Sequence, residues 1–112
     1  MEVLSTEEAG ETEAVPGAHL SQLAAGERMS IQGYRIEPGA TVPEHSHPHE
    51  QGGFATAGEA VFRVDGEERR VRAGDAYVIP GGEPHEVESV GDVAFEGVDV
   101  FSPPRENPDW GD

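Results

Sequence analysis

The stretch that decides the fold is Gly39-Ala40-Thr41-Val42-Pro43-Glu44-His45-Ser46-His47-Pro48-His49-Glu50-Gln51, running on to Gly58. Glycine and proline bound it, and the pattern between them reads as strand, turn and strand. A second stretch of the same kind follows, Gly74-Asp75-Ala76-Tyr77-Val78-Ile79-Pro80-Gly81-Gly82-Glu83-Pro84-His85. In a strand, residues i and i+2 share a face and lie about 6.6 Å apart along it. His45 and His47 meet that condition, and so do His49 and Gln51. His85 opens a strand after a Gly-rich turn and can approach from a neighbouring strand. His45, His47, Gln51 and His85 are therefore expected to converge on one metal ion. Glu50 has the opposite parity and is expected to face away. His49 has two readings, as an alternative ligand or as a residue at the rim of the site. His19 is expected to be unrelated to it.

Outward from these stretches the punctuation stays regular. Turn signals fall at Pro38-Gly39, Asp65-Gly66, Ala73-Gly74-Asp75, Pro80-Gly81-Gly82 and Gly91-Asp92. The segments between them are short and rich in Val, Ile, Phe and Tyr, the mark of an all-β sandwich or barrel. Asp65-Gly66 supplies the positive φ angles of a two-residue hairpin turn. Alternation then puts Ala60, Phe62 and Val64 on one face, with Val61 and Arg63 on the other. Tyr77-Val78-Ile79 reads as a strand ended by Pro80. The last strand is Val93 to Phe101, with Phe95, Gly97, Asp99 and Phe101 on one face, and Ser102-Pro103-Pro104 stops it. No stretch carries a helical stripe. Residues 1–25 are expected to be an acidic arm, partly disordered or pairing along a sheet edge, within which His19–Ala24 reads as one helical turn before Gly26. Residues 26–112 form the expected domain.

Composition bounds the function. The 112 residues are the size of one domain. There is no cysteine, which excludes disulfides and thiolate zinc sites. No apolar run has the length of a membrane span, and Met1–Glu8 lacks the basic-then-apolar order of a signal peptide, so a cytoplasmic protein is expected. There are 23 acidic residues against seven basic ones, all arginine, for a net charge of −16. That field argues against nucleic acid and against an anionic membrane as partner. Excess Asp and Glu without Lys looks like a protein of a salt-accumulating halophile, in which molar salt shortens the Debye length to about 3 Å.

Taken together, Gly, His-x-His, a polar donor and Gly, followed by Gly, Pro-x-Gly and His, resemble the two motifs of the cupins. The resemblance spans Gly39 to His85, and the flanking strands extend it from about Met29 onward. It implies a double-stranded β-helix or jelly-roll barrel, a cupin double-stranded β-helix in family terms, holding one divalent metal ion. The family usually ligates through His, His, Glu and His. Gln51 stands where Glu is usual, so His45, His47, Gln51 and His85 form a neutral ligand set that leaves the full charge on the ion. Such a set favours a Lewis-acid role. It leaves nickel, manganese, iron, zinc and copper all open. Ser89 stands where the second motif often ends in Asn.

Asp99 is an acid on an inward face, which is costly unless it is paired. It is either a hydrogen-bonded structural acid, accepting from a turn or from Arg105, or a general acid/base at the barrel mouth. The run Asp99-Val100-Phe101-Ser102-Pro103-Pro104-Arg105, with Gln51, is similar to the small cupins of pectin and alginate degradation, which open the ring of unsaturated monouronates. That resemblance implies catalytic roles for Asp99, Phe101 and Arg105 and a carboxylated sugar as ligand. Asp99 would move a proton at the enol carbon, Arg105 would hold the uronate carboxylate, and Phe101 would wall the site. A dioxygenase, a sugar isomerase and a non-catalytic small-molecule-binding cupin remain as alternatives. Cupins often pair, which makes a homodimer the expected assembly.

Overall fold

The computed structural model describes residues 1–105; the end of the expected domain, 106–112, lies outside the described residues. One short helix, α1 (Thr6–Ala9), precedes ten strands: β1 (Thr12–Val15), β2 (Ala18–Ala25), β3 (Ser30–Ile36), β4 (Thr41–His45), β5 (Glu50–Ala57), β6 (Glu59–Val64), β7 (Glu67–Arg72), β8 (Ala76–Ile79), β9 (His85–Ser89) and β10 (Phe95–Ser102). They form a six-stranded sheet in the order β1-β2-β3-β10-β5-β8 and a four-stranded sheet in the order β4-β9-β6-β7. Neighbours in both are antiparallel. This is the all-β jelly roll expected from the spacing of the turns. No helix among the described residues is long and apolar enough to cross a membrane.

The hairpin at Asp65-Gly66 has the form its sequence demands. Both residues have positive φ, 50° and 77°, and β6 pairs with β7 from Val64↔Glu67 to Glu59↔Arg72. Ala60 and Phe62 are buried as expected. Val61, expected on the opposite face, is buried as well. Its cross-strand neighbours Arg70 and Glu88 carry long stems that can cover it. On the same strand Arg63 binds Glu68, Glu86 and Glu88 at 2.7, 3.1 and 3.0 Å, so one of the few cations gathers three acids.

Within the N-terminal segment, the helical turn expected from the sequence does not form. His19–Ala24 is not a helical turn but the body of β2, paired with β3 from Ala18↔Ile36 to Ala25↔Ser30. Leu20 and Leu23 have helical spacing, but the open edge of β3 offers a ladder of hydrogen bonds that one isolated turn cannot match. β1 then pairs with β2, so much of the acidic arm becomes sheet. α1 is one turn, held by a capping box in which Ser5 and Glu8 each satisfy the other's backbone N–H.

The core lies between the sheets. Phe95, Phe62, Tyr34, Ile36, Ile79 and Val87 are all buried within it. Phe95 packs its ring 5.2 Å from Tyr34 and 5.9 Å from Phe62. β10 links this core to the site. Its inner face reads Phe95, Gly97, Asp99, Phe101, all buried, and its outer residues alternate with them. One strand thus runs from apolar packing at Phe95 to polar chemistry at Asp99.

Candidate metal centre

Three elements bring the histidines together. His45 ends β4 and His85 opens β9; they are direct cross-strand partners with ring centroids 4.3 Å apart. His47 lies beyond the end of β4, in the loop to β5. Its ring is 5.8 Å from His45 and 5.1 Å from His85. The shared pleat expected for His45 and His47 is therefore not what aligns them; the chain leaves the strand and the loop turns His47 back. His49 likewise sits in a bend and not on a strand with Gln51. One ring nitrogen from each of His45, His47 and His85 lies within 4.8 Å of the others. Gln51, on β5 and 7% exposed, places Oε1 3.1 Å from His47 Nε2. Glu50 is exposed, as its parity predicted.

His45 Nδ1 lies 3.0 Å from the Pro43 carbonyl, His47 Nδ1 3.2 Å from the His49 carbonyl, and His85 Nδ1 2.9 Å from the Glu83 carbonyl. A carbonyl can only accept, so each Nδ1 carries a proton and donates it. A neutral imidazole so fixed keeps its lone pair on Nε2. Burial keeps His47 neutral, pushing its pKa down to about 4, with the Arg105 charge and the other two histidines adding to the effect. Burial likewise lowers His85. The result is a set of inward lone pairs without protons between them. His85 Nε2 is buried with no hydrogen-bond partner, and His47 Nε2 faces the Gln51 carbonyl oxygen, acceptor against acceptor. Such an arrangement is costly by itself and is relieved by a cation at its centre. The residues present fit a divalent metal.

Asp99 lies on the neighbouring strand face, 5% exposed. It accepts a 2.6 Å hydrogen bond from the Tyr77 hydroxyl. Its carboxylate also accepts from the Gln51 amide, so Gln51 can present its oxygen to the histidines and its NH₂ to Asp99. A glutamate at 51 would set a second carboxylate against Asp99. Burial pushes the Asp99 pKa up to about 6, although the bonds from Tyr77 and Gln51 and the charge of Arg105 oppose the rise. Phe101, 1% exposed, stands edge-on to His47 with centroids 5.4 Å apart. The Arg105 guanidinium lies 5.2 Å over the Phe101 ring, and the Arg105 backbone N–H donates to Ser30 Oγ at 2.8 Å. Pro103 and Pro104 thus turn the chain out of β10 and back across the mouth.

His45, Gln51, His85, Asp99, Phe101 and Arg105 all line one inner cavity of about 60 Å³. A cleft of about 380 Å³ shares Leu20, Val42, His45 and Arg105 with it and adds Ala14, Val15 and Ala18 from the N-terminal hairpin. His49 contributes mainly its backbone carbonyl to His47, with its own ring 6.1 Å from Phe101. His19 lies outside this group, paired with Glu37 at 3.4 Å. Sequence reasoning missed Tyr77 and Tyr34. Tyr77 stood inside the second motif, but only as a strand residue.

The family model for the cupin domain matches residues 34–101, which include all four expected ligands, Asp99 and Phe101. The chain belongs to the cupin family. Members of this family usually bind a metal, in keeping with the histidine cluster. The chain is 31% identical over 96 residues to the tetracenomycin polyketide synthase protein TcmJ of Streptomyces glaucescens, covering 84% of this chain and 64% of that protein. It therefore spans just under two-thirds of that relative's length. Among solved structures, KdgF from Halomonas sp. superposes with a TM-score of 0.86 at 25% identity, covering 96% of this cupin and 97% of KdgF. An RmlC-like cupin from Shewanella frigidimarina NCIMB 400 gives 0.83 at 25% identity, covering 96% of each chain.

Proposed function

We propose that this cupin is a metal-dependent enzyme that opens the ring of an unsaturated uronate, with His45, His47, Gln51 and His85 holding one divalent ion. The observation that carries the reading is Asp99, a carboxylate buried in the wall of the cavity beside the histidine cluster and raised towards neutrality. Such a group can both take and give a proton near pH 7. The similarity to KdgF over nearly the whole of both chains supports the same reading.

The reaction is an isomerisation and needs no oxidant. The anomeric hydroxyl loses its proton as the bond between the anomeric carbon and the ring oxygen breaks. The enol carbon gains a proton, and a linear keto acid results. Asp99 moves the proton at the enol carbon. Arg105, held over Phe101, grips the substrate carboxylate and offsets the negative field of the surface. Phe101 closes the wall beside His47 and excludes water. The bound metal would supply Lewis-acid polarisation of a substrate oxygen. The test is loss of the unsaturated uronate, followed by proton NMR, with metal-loaded protein against the spontaneous rate. Equal rates refute the reading.

A second reading has an observation of its own. The outer cleft is walled by Ala14, Val15, Ala18, Leu20, Val42 and Pro43, a surface suited to an apolar ring system as well as to a sugar. With the sequence relation to TcmJ, it favours a polyketide-type substrate at the same metal centre. Turnover of a polyketide substrate but not of the uronate would select it. A homodimer in a salt-rich cytoplasm belongs to the main proposal. Phe54, Val78 and Val98 are exposed on β5, β8 and β10, and Phe54 and Val98 are direct neighbours. Light scattering that finds only monomer would remove the homodimer.

A further inference from the structure

Asp99 is held from the side away from the histidines, and the register shows how. Asp99 on β10, Gly53 on β5 and Tyr77 on β8 are consecutive cross-strand partners. Tyr77 is thus two strands from Asp99. Its ring can reach across only because Gly53 has no side chain: a Cβ there would fall on the Tyr77 ring itself. The same device recurs one pair along. Tyr34 on β3 is opposite Gly97 on β10, and a Cβ at Gly97 would meet the Tyr34 hydroxyl end. Two glycines on adjacent strands clear a path for two tyrosines that converge beside one carboxylate.

The hydrogen bonds between these groups run in one direction. Tyr77 Oη lies 2.6 Å from Asp99 Oδ1 and 3.1 Å from Tyr34 Oη. It has one proton. An ionised carboxylate can only accept, so the proton goes to Asp99 and Tyr77 must accept from Tyr34. The order is Tyr34 to Tyr77 to Asp99, each hydroxyl polarising the next. Both tyrosines are buried enough to stay protonated, with their pKa values raised above the ordinary phenol value by desolvation. Gln51 donates to Asp99 from the side of the histidines.

We propose that Tyr77 is a positioning residue: backed by Tyr34, it fixes the Asp99 carboxylate in the orientation from which Asp99 exchanges a proton with substrate. This rests on the role given to Asp99 under the proposed function. Tyr77 need not touch substrate. It occupies one carboxylate oxygen, while Gln51 ties the group to the histidine cluster. Without Tyr77 the carboxylate would lose a charge-assisted hydrogen bond and would be held less firmly, by the contact with Gln51.

The test uses the full-length, metal-loaded protein and has two arms. In the first, proton NMR in water follows the hydroxyl protons. The parent should show a slowly exchanging hydroxyl resonance downfield of the amides, absent in Tyr77→Phe and displaced upfield in Asp99→Asn. A parent without such a resonance, or one that ignores Asp99→Asn, overturns the proposal whether or not the protein is an enzyme. In the second, Tyr77→Phe should keep the parent's metal content and KM while kcat falls by about tenfold, the effect of one lost charge-assisted bond. Tyr34→Phe should show a smaller fall in kcat. Unchanged kcat in Tyr77→Phe with an active parent overturns the proposal. An inactive parent refutes only the ring-opening reading, and the NMR arm still decides whether Tyr77 holds Asp99. Should Tyr77→Phe not fold, the Asp99→Asn shift and the Tyr34→Phe kinetics carry both arms.

Discussion

Among the described residues, two clusters have donor atoms close enough to hold a cation: His45, His47 and His85 at the barrel interior, and Glu13, His19 and Glu37 near the N-terminal hairpin. Their surroundings differ. In the first, backbone carbonyls fix every Nδ1 proton, so the free lone pairs point inward and have nothing else to bind. In the second, Glu13 already accepts from the Gly17 N–H at 2.9 Å, and Glu37 is half-exposed with a carboxylate oxygen 3.4 Å from His19 Nε2. The two carboxylates of the second cluster therefore have water and internal partners without a metal, although His19 Nε2, like His85 Nε2, is buried without a hydrogen bond. Proximity of donors is common on an acidic surface; donors held without alternatives are what mark a metal centre.

The largest effect expected from breaking this contrast is at His47. His47→Ala should reduce bound metal from about one ion per chain to near zero by elemental analysis, whereas equal content in variant and parent would refute the assignment. Chelation of the parent should lower its melting temperature. With free metal at 100 times Kd, linkage is worth about 2.7 kcal/mol. Next comes Asp99, which lies beside the cluster but is not assigned as a ligand. Asp99→Asn should keep the metal and cut turnover by roughly 10²–10⁴-fold. Arg105→Lys should mainly raise KM, because a point charge replaces a bidentate grip. Full activity in Asp99→Asn would leave the reaction standing and remove this role.

Smaller effects concern the solvent. The thermal midpoint should rise between dilute buffer and concentrated potassium chloride, since salt screens the self-repulsion of a −16 surface. No rise would contradict that. In chelated protein, His47 titrates near pH 4 in place of its ordinary 6.5. The unfolded chain therefore takes up that proton first, and the contribution to stability is complete above pH 6.5 and declines as pH falls towards 4. Asp99 acts in the opposite sense, because its folded value of about 6 exceeds the ordinary 3.8 and the folded state binds that proton first. Comparing parent with His47→Ala isolates the histidine: the parent should lose more stability across this interval, and parallel pH curves would refute it. The smallest effect expected is at the second cluster, where His19→Ala should leave metal content unchanged.

Much of the site was legible because β10 alternates cleanly. Phe95, Gly97, Asp99 and Phe101 fall on one face in sequence and are all buried in the structure. The Asp65-Gly66 hairpin was legible because its turn chemistry is local. The identity of the histidines was legible too, but the expected reason for their approach was wrong for His47, because a loop and not a pleat turns it inward. β2 was not legible: its leucines suit a helical turn, and only pairing with β3 decides otherwise. Tyr77 was not legible either. The meaning of Gly53 depends on Asp99, Gly53 and Tyr77 standing side by side on three strands, and that register is a property of the assembled sheet.

The central claim is tested most directly by anomalous scattering from a crystal of the metal-loaded protein. The account predicts one strong peak about 2.0–2.1 Å from a ring nitrogen of each of His45, His47 and His85, the zinc–imidazole distance if zinc is the ion, with Gln51 Oε1 as the fourth donor. A peak at Glu13, His19 and Glu37 instead, or none between the three histidines, would contradict it.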